Sequence, residues 1–368
     1  MLIRELSVIN YKNLVQADLV FSPKLNCFIG NNGVGKTNLL DAIFYLSFCK
    51  SYFNIPDTQN IRHNEDFFVI QGKYERVGDE ENIYCGFKTG QKKRFRRNKK
   101  EYERLSDHIG LLPLVMISPA DSVLIQGGSE ERRRFIDSVI SQSDRVYLEW
   151  LLKYNRALLQ RNNLLKYFAA GQPFDADSLE VWNDQMVMAG EIIHQKRSEF
   201  LQELMPVFDQ YYWAISKGNE PVSLEYQSQL TGNDFSQLLN DSIQRDLALQ
   251  FTTVGIHKDD LNLKLGEFPI KRLGSQGQNK TYLIALKFAQ FDFIRSLNQV
   301  KPILLLDDIF DKLDSERVEQ IVKLVAGENF GQIFITDTNR EHLSGIIQQA
   351  GGDDFKIFRV ENGQINHF

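Results

Sequence analysis

The stretch Gly30-Asn-Asn-Gly-Val-Gly-Lys-Thr37, "GNNGVGKT", decides the fold of this chain. It lies between "LNCFI", an apolar run that predicts a strand, and "NLLDAIFYLSF", whose apolar residues return at helical spacing. The pattern G-x-x-x-x-G-K-T between a strand and a helix predicts a phosphate-binding loop, because backbone N–H groups and the helix dipole there both favour an anion. The predicted nucleotide-binding residues of this stretch are Gly30, Asn31, Asn32, Gly33, Val34, Gly35, Lys36, Thr37 and Asn38.

Two side chains of this loop are expected to contribute to the site in addition to the backbone N–H groups. Lys36 is expected to reach the β- and γ-phosphates, and the Thr37 hydroxyl to ligate Mg²⁺. The predicted cofactors are therefore ATP and Mg²⁺. The alternative is a glycine-rich turn that holds no ligand.

An acidic pair follows a second apolar run, "PILLLDD" at residues 302–308. The run predicts a buried strand whose C-terminal residue, Asp307, can hold Mg²⁺ directly or through water. Asp308 is then placed to polarise the attacking water. The alternative is a helix N-cap pair at the end of an ordinary strand. Beside an intact phosphate loop, the pattern predicts Lys36, Asp307 and Asp308 as the catalytic residues.

The spacing of the two motifs requires a large insertion. From about Ser129 to Phe208 leucines and aromatics recur at helical spacing, interrupted by "AAGQPFDADS". This predicts an arm of two long antiparallel helices of about 25 residues each. We predict an α/β fold, a mixed sheet with helices, in which residues 1–127 and 245–368 form one ATPase domain and residues 128–244 an inserted α-helical arm.

A polar loop, Ser275-Gln276-Gly277-Gln278, precedes another helical segment, "NKTYLIALKFAQF". It opens a second helix N-terminus that is suited to an anion. Taken by itself, this loop is equally consistent with a bare turn.

Composition excludes several classes of protein. The chain has 368 residues with 42% hydrophobic residues and a net charge of −5, so affinity for nucleic acid would need a local basic surface. Nothing approaches the ~20 apolar residues that span a bilayer, and the start lacks a signal peptide's apolar core, which predicts a cytoplasmic protein. Cys27, Cys49 and Cys85 have no metal-site spacing and are expected to be reduced core residues.

One stretch is strongly basic. Seven of the nine residues from 92 to 100 are Lys or Arg, with Phe95 among them. Such a segment can neutralise DNA phosphates, and a solvated β-hairpin that turns near Asn98-Lys99 is the equal alternative. The candidate DNA contacts are Lys92, Lys93, Arg94, Arg96, Arg97, Lys99 and Lys100. "EERRR" at 130–134 is read instead as a helix face with i,i+4 ion pairs.

The combination of motifs resembles the ABC-type ATPases of the SMC-like group and, within them, the RecF family of bacterial repair proteins. The resemblance spans nearly the whole chain. The stretches that carry it are "LSVINYKNL", "GNNGVGKTNLLDAI", "ISPADSVLIQGGSEERRRFID", "GIHKDDL", "GSQGQNKTYLIALKFAQ" and "LLLDDIFDKLDSER". The fold implied is an ABC-type ATPase head with an inserted arm. The family motif that contains His257, Asp259 and Asp260 has no chemical role assigned to it.

The resemblance implies a nucleotide shared between two protomers. Ser275, Gln276, Gly277 and Gln278 form the signature loop that would complete the partner's γ-phosphate site. Asp314, in "KLD", would lie in the loop that communicates across the dimer. Lys12 and Asn13 lie where related ATPases place N-terminal nucleotide contacts, and Arg62 is a further candidate. ATP would then act as a dimerisation switch.

Three departures from the broader ABC pattern favour the RecF family over transporter ATPases. Asp308 stands where most members have Glu, and its shorter side chain predicts slow turnover. Thr336-Asp337 stands where the broader group has a switch histidine. The loop Ser118-Pro-Ala-Asp121 lacks the usual glutamine.

The implied function is that of a DNA-dependent, weak ATPase of recombinational repair and replication-fork maintenance. An ATP-driven homodimer would clamp duplex DNA near single-strand gaps and help the RecO and RecR mediators load RecA, which predicts association with the nucleoid. A nuclease-linked or other SMC-like ATPase is the alternative. The residues after "FITDTN" are expected to be too few for the additional acidic metal-binding domain of the nuclease-linked class, and the arm is too short for a chromosome-organising SMC protein.

Overall fold

The computed structural model describes residues 1–218, 220–298, 300–338, 354–361 and 363–367. The chain packs as two units. The first, the ATPase unit, contains Met1–Ser122, Tyr211–Asn219 and Ser275–Phe368, and the second, the arm unit, contains Val123–Gln210 and Glu220–Gly274. Among the described residues, no helix combines the length and apolar character that crossing a membrane requires.

Strands dominate the first third of the described chain, and helices dominate the middle. The strands are β1 Leu2–Tyr11, β2 Leu14–Val20, β3 Leu25–Ile29, β4 Phe67–Arg76, β5 Asp79–Lys88, β6 Arg94–Arg97, β7 Lys100–Glu101, β8 Leu114–Ile117, β9 Val222–Gln227, β10 Asp260–Leu265, β11 Phe268–Pro269, β12 Ile303–Asp307, β13 Ile333–Asp337, β14 Phe355–Glu361 and β15 Gln364–His367. The α-helices are α1 Lys36–Phe48, α2 Val123–Gln126, α3 Ser129–Ser141, α4 Arg145–Ala169, α5 Ala176–Ser216, α6 Phe235–Leu249, α7 Ile270–Leu273, α8 Gln276–Leu297 and α9 Ser315–Ala326.

A mostly parallel sheet organises the ATPase unit, in the order β15-β14-β3-β13-β12-β8. Strands β14, β3, β13, β12 and β8 run parallel, and β15 alone pairs antiparallel. All five residues of β12 and of β13 are buried, as is typical of parallel strands covered on both faces. The carboxyl ends of β3, β12, β13 and β8 therefore meet at one edge, where open α/β sheets bind their ligands.

A second sheet of the same unit is antiparallel, in the order β2-β1-β4-β5-β6-β7. Its strands alternate buried and exposed residues, and Phe68, Ile83 and Phe95 enter the main apolar core together with residues of α1. The predicted hairpin turn is confirmed: Arg97 pairs with Lys100, and both Asn98 and Lys99 have positive φ, as a two-residue I′ turn requires. The three cysteines are buried and free, as predicted.

The arm unit contains two long antiparallel helices, as predicted. Asp144 before α4 contacts Lys196 of α5 at 2.9 Å, whereas Arg161 further along α4 contacts Asn183 at 2.7 Å. The predicted length of α5 is wrong, because the helix runs for 41 residues to Ser216 and includes Pro206. The apolar stripe continues past Phe208 through Tyr212 and Ile215, each 1% exposed, and this packing outweighs the hydrogen bond that proline removes.

The strands β9, β10 and β11 form a small antiparallel sheet in the arm unit. Because β10 pairs with β9 along its whole length, residues 245–274 pack with the arm unit, although the sequence assigns them to the ATPase domain. The domain bounds 1–127, 128–244 and 245–368 stay predictions, and the packing units divide the chain differently at this point.

Candidate functional site

The loop between β3 and α1 has the backbone that a phosphate cradle needs. Gly33 and Gly35 have φ of 81° and 119°, a region that side chains other than glycine rarely adopt. A Cβ on Gly35 would come within 2.9 Å of the Asn13 side chain, which also donates to the Gly33 carbonyl at 3.2 Å. The Asn38 amide donates to Asn13 at 2.8 Å. Asn13 thus packs under the loop and fixes its shape.

The first turn of α1 differs from those of other helices in the ATPase unit. Serine or aspartate side chains cap α8 and α9, whereas Gly35 provides no side-chain cap to α1. The first N–H groups of a helix need external partners, and together with the helix dipole they favour an anion. This turn is therefore suited to a phosphate.

Lys36 is the cation of this loop. It is buried, and its Nζ donates to the carbonyl oxygens of Gly30 and Asn31, at 2.8 and 3.1 Å. The ammonium group is thus held over the loop by backbone carbonyls of the loop itself. Both bonds lie within the residues predicted to bind nucleotide.

Asp307 collects hydroxyl groups from three neighbouring elements. Thr37 donates to its two carboxylate oxygens at 2.8 and 3.0 Å, Thr336 donates to Oδ1 at 2.8 Å and Ser118 donates to Oδ2 at 3.2 Å. Ser118 follows β8 and Thr336 lies in β13, the two strands that flank β12. Burial raises the pKa of Asp307, and these hydrogen bonds oppose the rise. A hydroxyl and a carboxylate, both hard oxygen ligands, therefore lie together as Mg²⁺ binding requires.

Asp308 has an unusual backbone for a residue other than glycine, with φ of 45°. Its N–H donates to the Thr336 hydroxyl at 3.1 Å, and its carbonyl accepts from Lys280 at 3.2 Å. Burial raises the pKa of the Asp308 carboxyl, and the charge of Lys36 lowers it. A strained backbone held at both ends by hydrogen bonds is common at functional sites.

The other predicted N-terminal contacts lie in different surroundings. Lys12 donates to the buried Asp41 carboxylate at 2.5 Å and lies over the Phe53 ring at 4.6 Å, so its charge is already compensated within the chain. The Arg62 side chain lies 3.7 Å from Glu65 on the surface. The backbone N–H of Arg62 donates to the Asn10 carbonyl at 2.9 Å. Of the three residues, Asn13 alone makes a side-chain contact to the phosphate loop within the described part of the chain.

The predicted signature loop begins α8 with a capping box. The Ser275 hydroxyl accepts from the Gln278 N–H at 3.2 Å, and the Gln278 side chain accepts from the Ser275 N–H at 2.8 Å. A Cβ on Gly277 would lie 2.6 Å from the Arg317 guanidinium. Asp314 caps α9 and lies 3.5 Å from the same Arg317 side chain. Arg317, which was not predicted as a site residue, thus joins the signature loop to the "KLD" loop.

The basic segment 92–100 is partly internal. The Lys93 ammonium lies 2.9 Å from Asp57 and donates to the Cys49 carbonyl at 2.7 Å, while Arg97 forms a bidentate ion pair with Glu81. Phe95 lies in the core, 1% exposed. Carboxylates of the same chain thus compensate the charges of Lys93 and Arg97, which makes these two residues weaker candidates for DNA contact than the other cations of the segment.

The remaining cations of the segment lie at the surface. Arg96 is half-buried and lies over the Tyr84 ring at 5.7 Å. The exposed cations are Lys92, Arg94, Lys99 and Lys100.

The motif with His257, Asp259 and Asp260 packs the arm unit. His257 lies between the Tyr154 hydroxyl and the Thr252 carbonyl, and Asp259 pairs with Arg197, which is 2% exposed on its side chain, at 2.7 Å. Asp260 pairs with Arg132 at 2.6 Å. These bonds hold α3, α4 and α5 to the first residue of β10 and to the turn that precedes it.

"EERRR" lies on α3, where Arg134 pairs with Glu130 in i,i+4 spacing and with Glu131. This confirms the predicted helix face. Arg132 leaves the face for Asp260, and Arg133 donates to the Asp259 carbonyl at 2.6 Å. The segment is thus occupied by contacts within the arm unit.

Two hydroxyl donors to Asp307 were not predicted as site residues. Ser118 and Thr336 stood out in the sequence only as departures from the broader ABC pattern. The sequence carried only a partial signal: Ser118 follows the apolar run of β8 and Thr336 lies near the end of the run of β13, and the carboxyl ends of parallel strands meet at one sheet edge.

Comparisons with known proteins agree along the whole chain. The model of the RecF/RecN/SMC N-terminal domain matches residues 2–365. "DNA replication and repair protein RecF" of Bacteroides fragilis strain YCH46 is 59% identical, over 100% of this chain and 98% of its own length. The structure of the recombination mediator protein RecF with ATP, in the RecFOR pathway, is 28% identical, with a TM-score of 0.89 over 100% of this chain and 97% of its own. An Smc head bound to the winged-helix domain of ScpA shares the fold, with a TM-score of 0.59 at 15% identity over 100% of this chain and 98% of its own.

Proposed function

The chain belongs to the RecF family of the RecF/RecN/SMC N-terminal domain group, and from this premise we propose that it is an ATP-dependent DNA-binding protein of replication and repair. The relatives carry the RecF name over nearly their full length, so the nuclease-linked alternative is not favoured. The observation that carries the proposal is the Thr37–Asp307 pair at 2.8 Å, where the phosphate loop meets the acidic strand beside Lys36.

The nucleotide site uses residues 30–38, with ATP as its ligand. The phosphates would contact the uncapped first turn of α1, and Lys36 would exchange its carbonyl partners for phosphate oxygens. Thr37 and Asp307 would hold Mg²⁺, which, when bound, neutralises charge on the phosphate oxygens. Asn13 supports the loop from below. Lys12 and Arg62 stay outside this site unless they leave Asp41 and Glu65.

Asp308 is the residue that would orient the attacking water and accept its proton. Its carboxyl is shorter than that of glutamate, so it is held less close to the reacting phosphate and turnover is slow. Hydrolysis then resets a switch and performs no chemistry on DNA. Stimulation of this weak ATPase by DNA belongs to the same proposal.

The partner protomer would complete the site. Ser275, Gln276, Gly277 and Gln278 form a helix start that is exposed at its first two residues, and its capping box already fixes the Ser275 hydroxyl. This start is suited to the γ-phosphate of nucleotide bound by a second copy. Asp314, joined to Gly277 through Arg317, would carry the state of one site toward the other.

The substrate of the clamp would be duplex DNA next to a single-strand gap. The partners would be the RecO and RecR mediators and, through them, RecA, as the solved relative is a mediator of the RecFOR pathway. Lys92, Arg94, Lys99 and Lys100 are the exposed cations that would contact phosphates, with Arg96 beside them. Work on chromosomal DNA would place the protein at the nucleoid.

The experiment that tests the nucleotide site is calorimetric binding of an ATP analogue that is not hydrolysed, in Mg²⁺. Lys36→Ala should lower the affinity at least about 100-fold, because a buried cation that would pair with phosphate is lost. Lys24→Ala is the control, because Lys24 donates to the carbonyls of Gly327 and Phe330 and should leave the affinity unchanged. Equal affinities for wild type and a folded Lys36→Ala variant would contradict the assignment.

A further inference from the structure

A buried ion pair in the ATPase unit is connected to Asp307 through Ser118. The Lys287 ammonium is 2.8 Å from the Asp121 carboxylate, and the two side chains are 7% and 5% exposed. The Tyr52 hydroxyl donates to the same carboxylate and lies 3.3 Å from the Lys287 ammonium. Buried charges persist only where each partner is compensated, so these three groups fix one another's positions.

The Asp121 carboxylate also closes the turn that follows β8. Its Oδ2 accepts from the Ser118 N–H at 2.9 Å, and the Asp121 N–H donates to the Ser118 carbonyl at 2.9 Å. These reciprocal bonds set where the Ser118 side chain lies. The Ser118 hydroxyl in turn donates to Oδ2 of Asp307 at 3.2 Å.

A continuous series of contacts therefore leads from Lys287 through Asp121 and Ser118 to Asp307. Lys287 lies on α8, eleven residues or about 17 Å beyond the start of the helix at Gln276. The predicted signature loop and the cation that supports Asp307 thus belong to one helix.

We propose that Lys287 is a positioning residue for the Mg²⁺ carboxylate: through Asp121 and Ser118 it holds Asp307 in the orientation that faces Thr37. The inference rests on the proposed function, since the orientation matters only when Asp307 serves a metal-bound nucleotide. Groups that hold metal ligands set ligand orientation, and their loss typically lowers metal affinity about 10–100-fold. A pair that only stabilised the fold would leave the Mg²⁺ dependence of nucleotide binding unchanged.

The test is a Mg²⁺ titration of the binding of a fluorescent ATP analogue that is not hydrolysed. Lys287→Met should raise the Mg²⁺ concentration for half-maximal binding about tenfold. Its affinity for the analogue in EDTA should stay close to that of wild type, because Lys36 and the loop are intact. Lys287→Arg, which keeps the charge, should recover most of the loss. Lys24→Met makes the same chemical change at a lysine bonded to Gly327 and Phe330, and should change neither value.

Ser118→Ala provides a milder variant if Lys287→Met does not fold. It should shift the Mg²⁺ midpoint in the same direction, and the double variant should be no worse than the worse single one, because both act on one series of contacts. Folded variants with lower thermal stability and wild-type Mg²⁺ midpoints would overturn the inference. Wild-type protein that bound the analogue equally with and without Mg²⁺ would overturn it too, and leave the nucleotide site standing. Wild-type protein that bound no nucleotide in either condition would contradict the proposed function as well.

Discussion

At the scale of single residues, Asp307 illustrates how far the sequence can be read. An apolar run that ends in two aspartates predicts both the strand and the carboxylate, because a buried strand is visible as an unbroken apolar run. The hydroxyls of Ser118 and Thr336 lie 189 and 29 residues away and reach Asp307 only through strand order. No local pattern contains that order, so the carboxylate was predictable and two of its hydroxyl partners were not.

Lys12 shows the opposite case, in which a residue implied as a nucleotide contact already has a partner within the chain. The family resemblance implied a nucleotide contact at this position, but the Lys12 ammonium pairs with Asp41, which is 0% exposed on its side chain. An unpaired buried carboxylate is costly, and Lys12 supplies a compensating charge. The competing partner, on the following helix, could not be identified without the packing.

A buried histidine gives a prediction about pH. The Nε2–H of His257 donates to the Thr252 carbonyl at 3.0 Å, and Nδ1 accepts from the Tyr154 hydroxyl at 2.8 Å. Burial lowers the pKa of His257 from 6.5 to about 4. The unfolded chain therefore takes up the proton first on acidification. The stability that depends on the neutral ring is complete above pH 6.5 and is lost as the pH falls from 6.5 to about 4, at about 1.4 kcal/mol per pH unit.

Urea unfolding of wild type and His257→Gln at pH 7 and pH 5 measures the part of the free energy of unfolding that depends on the neutral His257 ring. The variant should be less stable at pH 7 and should lose about 2 kcal/mol less than wild type between the two values. His63→Gln, at an exposed position, is the control and should behave as wild type. An unchanged loss in His257→Gln would show that this ring is not buried neutral in the folded protein.

At the scale of elements, short-range patterns predicted strands, turns and helix starts better than helix lengths. The turn at Asn98-Lys99 needs positive φ at two positions and was identified from local sequence. The end of α5 was misjudged, since the helical pattern was followed only to Phe208, whereas the helix continues to Ser216. Tyr212 and Ile215, in the last turns of the helix, are buried, and a local sequence pattern does not predict this tertiary packing.

We expect the exposed cations in and beside the hairpin of β6 and β7 to contact DNA. Changing Lys92, Arg94, Lys99 and Lys100 together to alanine should weaken binding to gapped duplex DNA. The negative slope of log affinity against log salt should become shallower by up to about 4, because each phosphate contact releases about one counterion. Fluorescence anisotropy at several salt concentrations measures both quantities.

The matched control removes four cations from other parts of the ATPase unit, each of them paired with a carboxylate. These are Arg4, Lys73, Lys88 and Lys323, and their replacement by alanine should leave the salt slope close to that of wild type. Equal slopes for wild type and the hairpin variant would move the DNA contacts to another surface.

At the scale of the whole molecule, the sequence indicates two packing units but does not indicate which segments belong to each. A phosphate loop and an acidic strand separated by a helical stretch predict one ATPase domain around an insertion. The packing unit of the arm also takes β10, because that strand pairs with β9 far along the chain. The predicted bounds relied on the return of strand-like segments, and nothing local in β10 tells which sheet it joins.

In our proposal, ATP joins two copies of the chain at composite sites. Sedimentation velocity of the Asp308→Asn variant, with and without Mg-ATP and with and without gapped duplex DNA, tests it most directly, because this variant should bind ATP and hydrolyse it too slowly to reset. We predict a monomer without ATP and a dimer that retains DNA with ATP. Ser275→Asp is the control: it keeps a good helix cap, and its added negative charge should block the partner's γ-phosphate, so it should bind ATP and stay monomeric. An Asp308→Asn protein that binds ATP yet stays monomeric under every condition would contradict the claim.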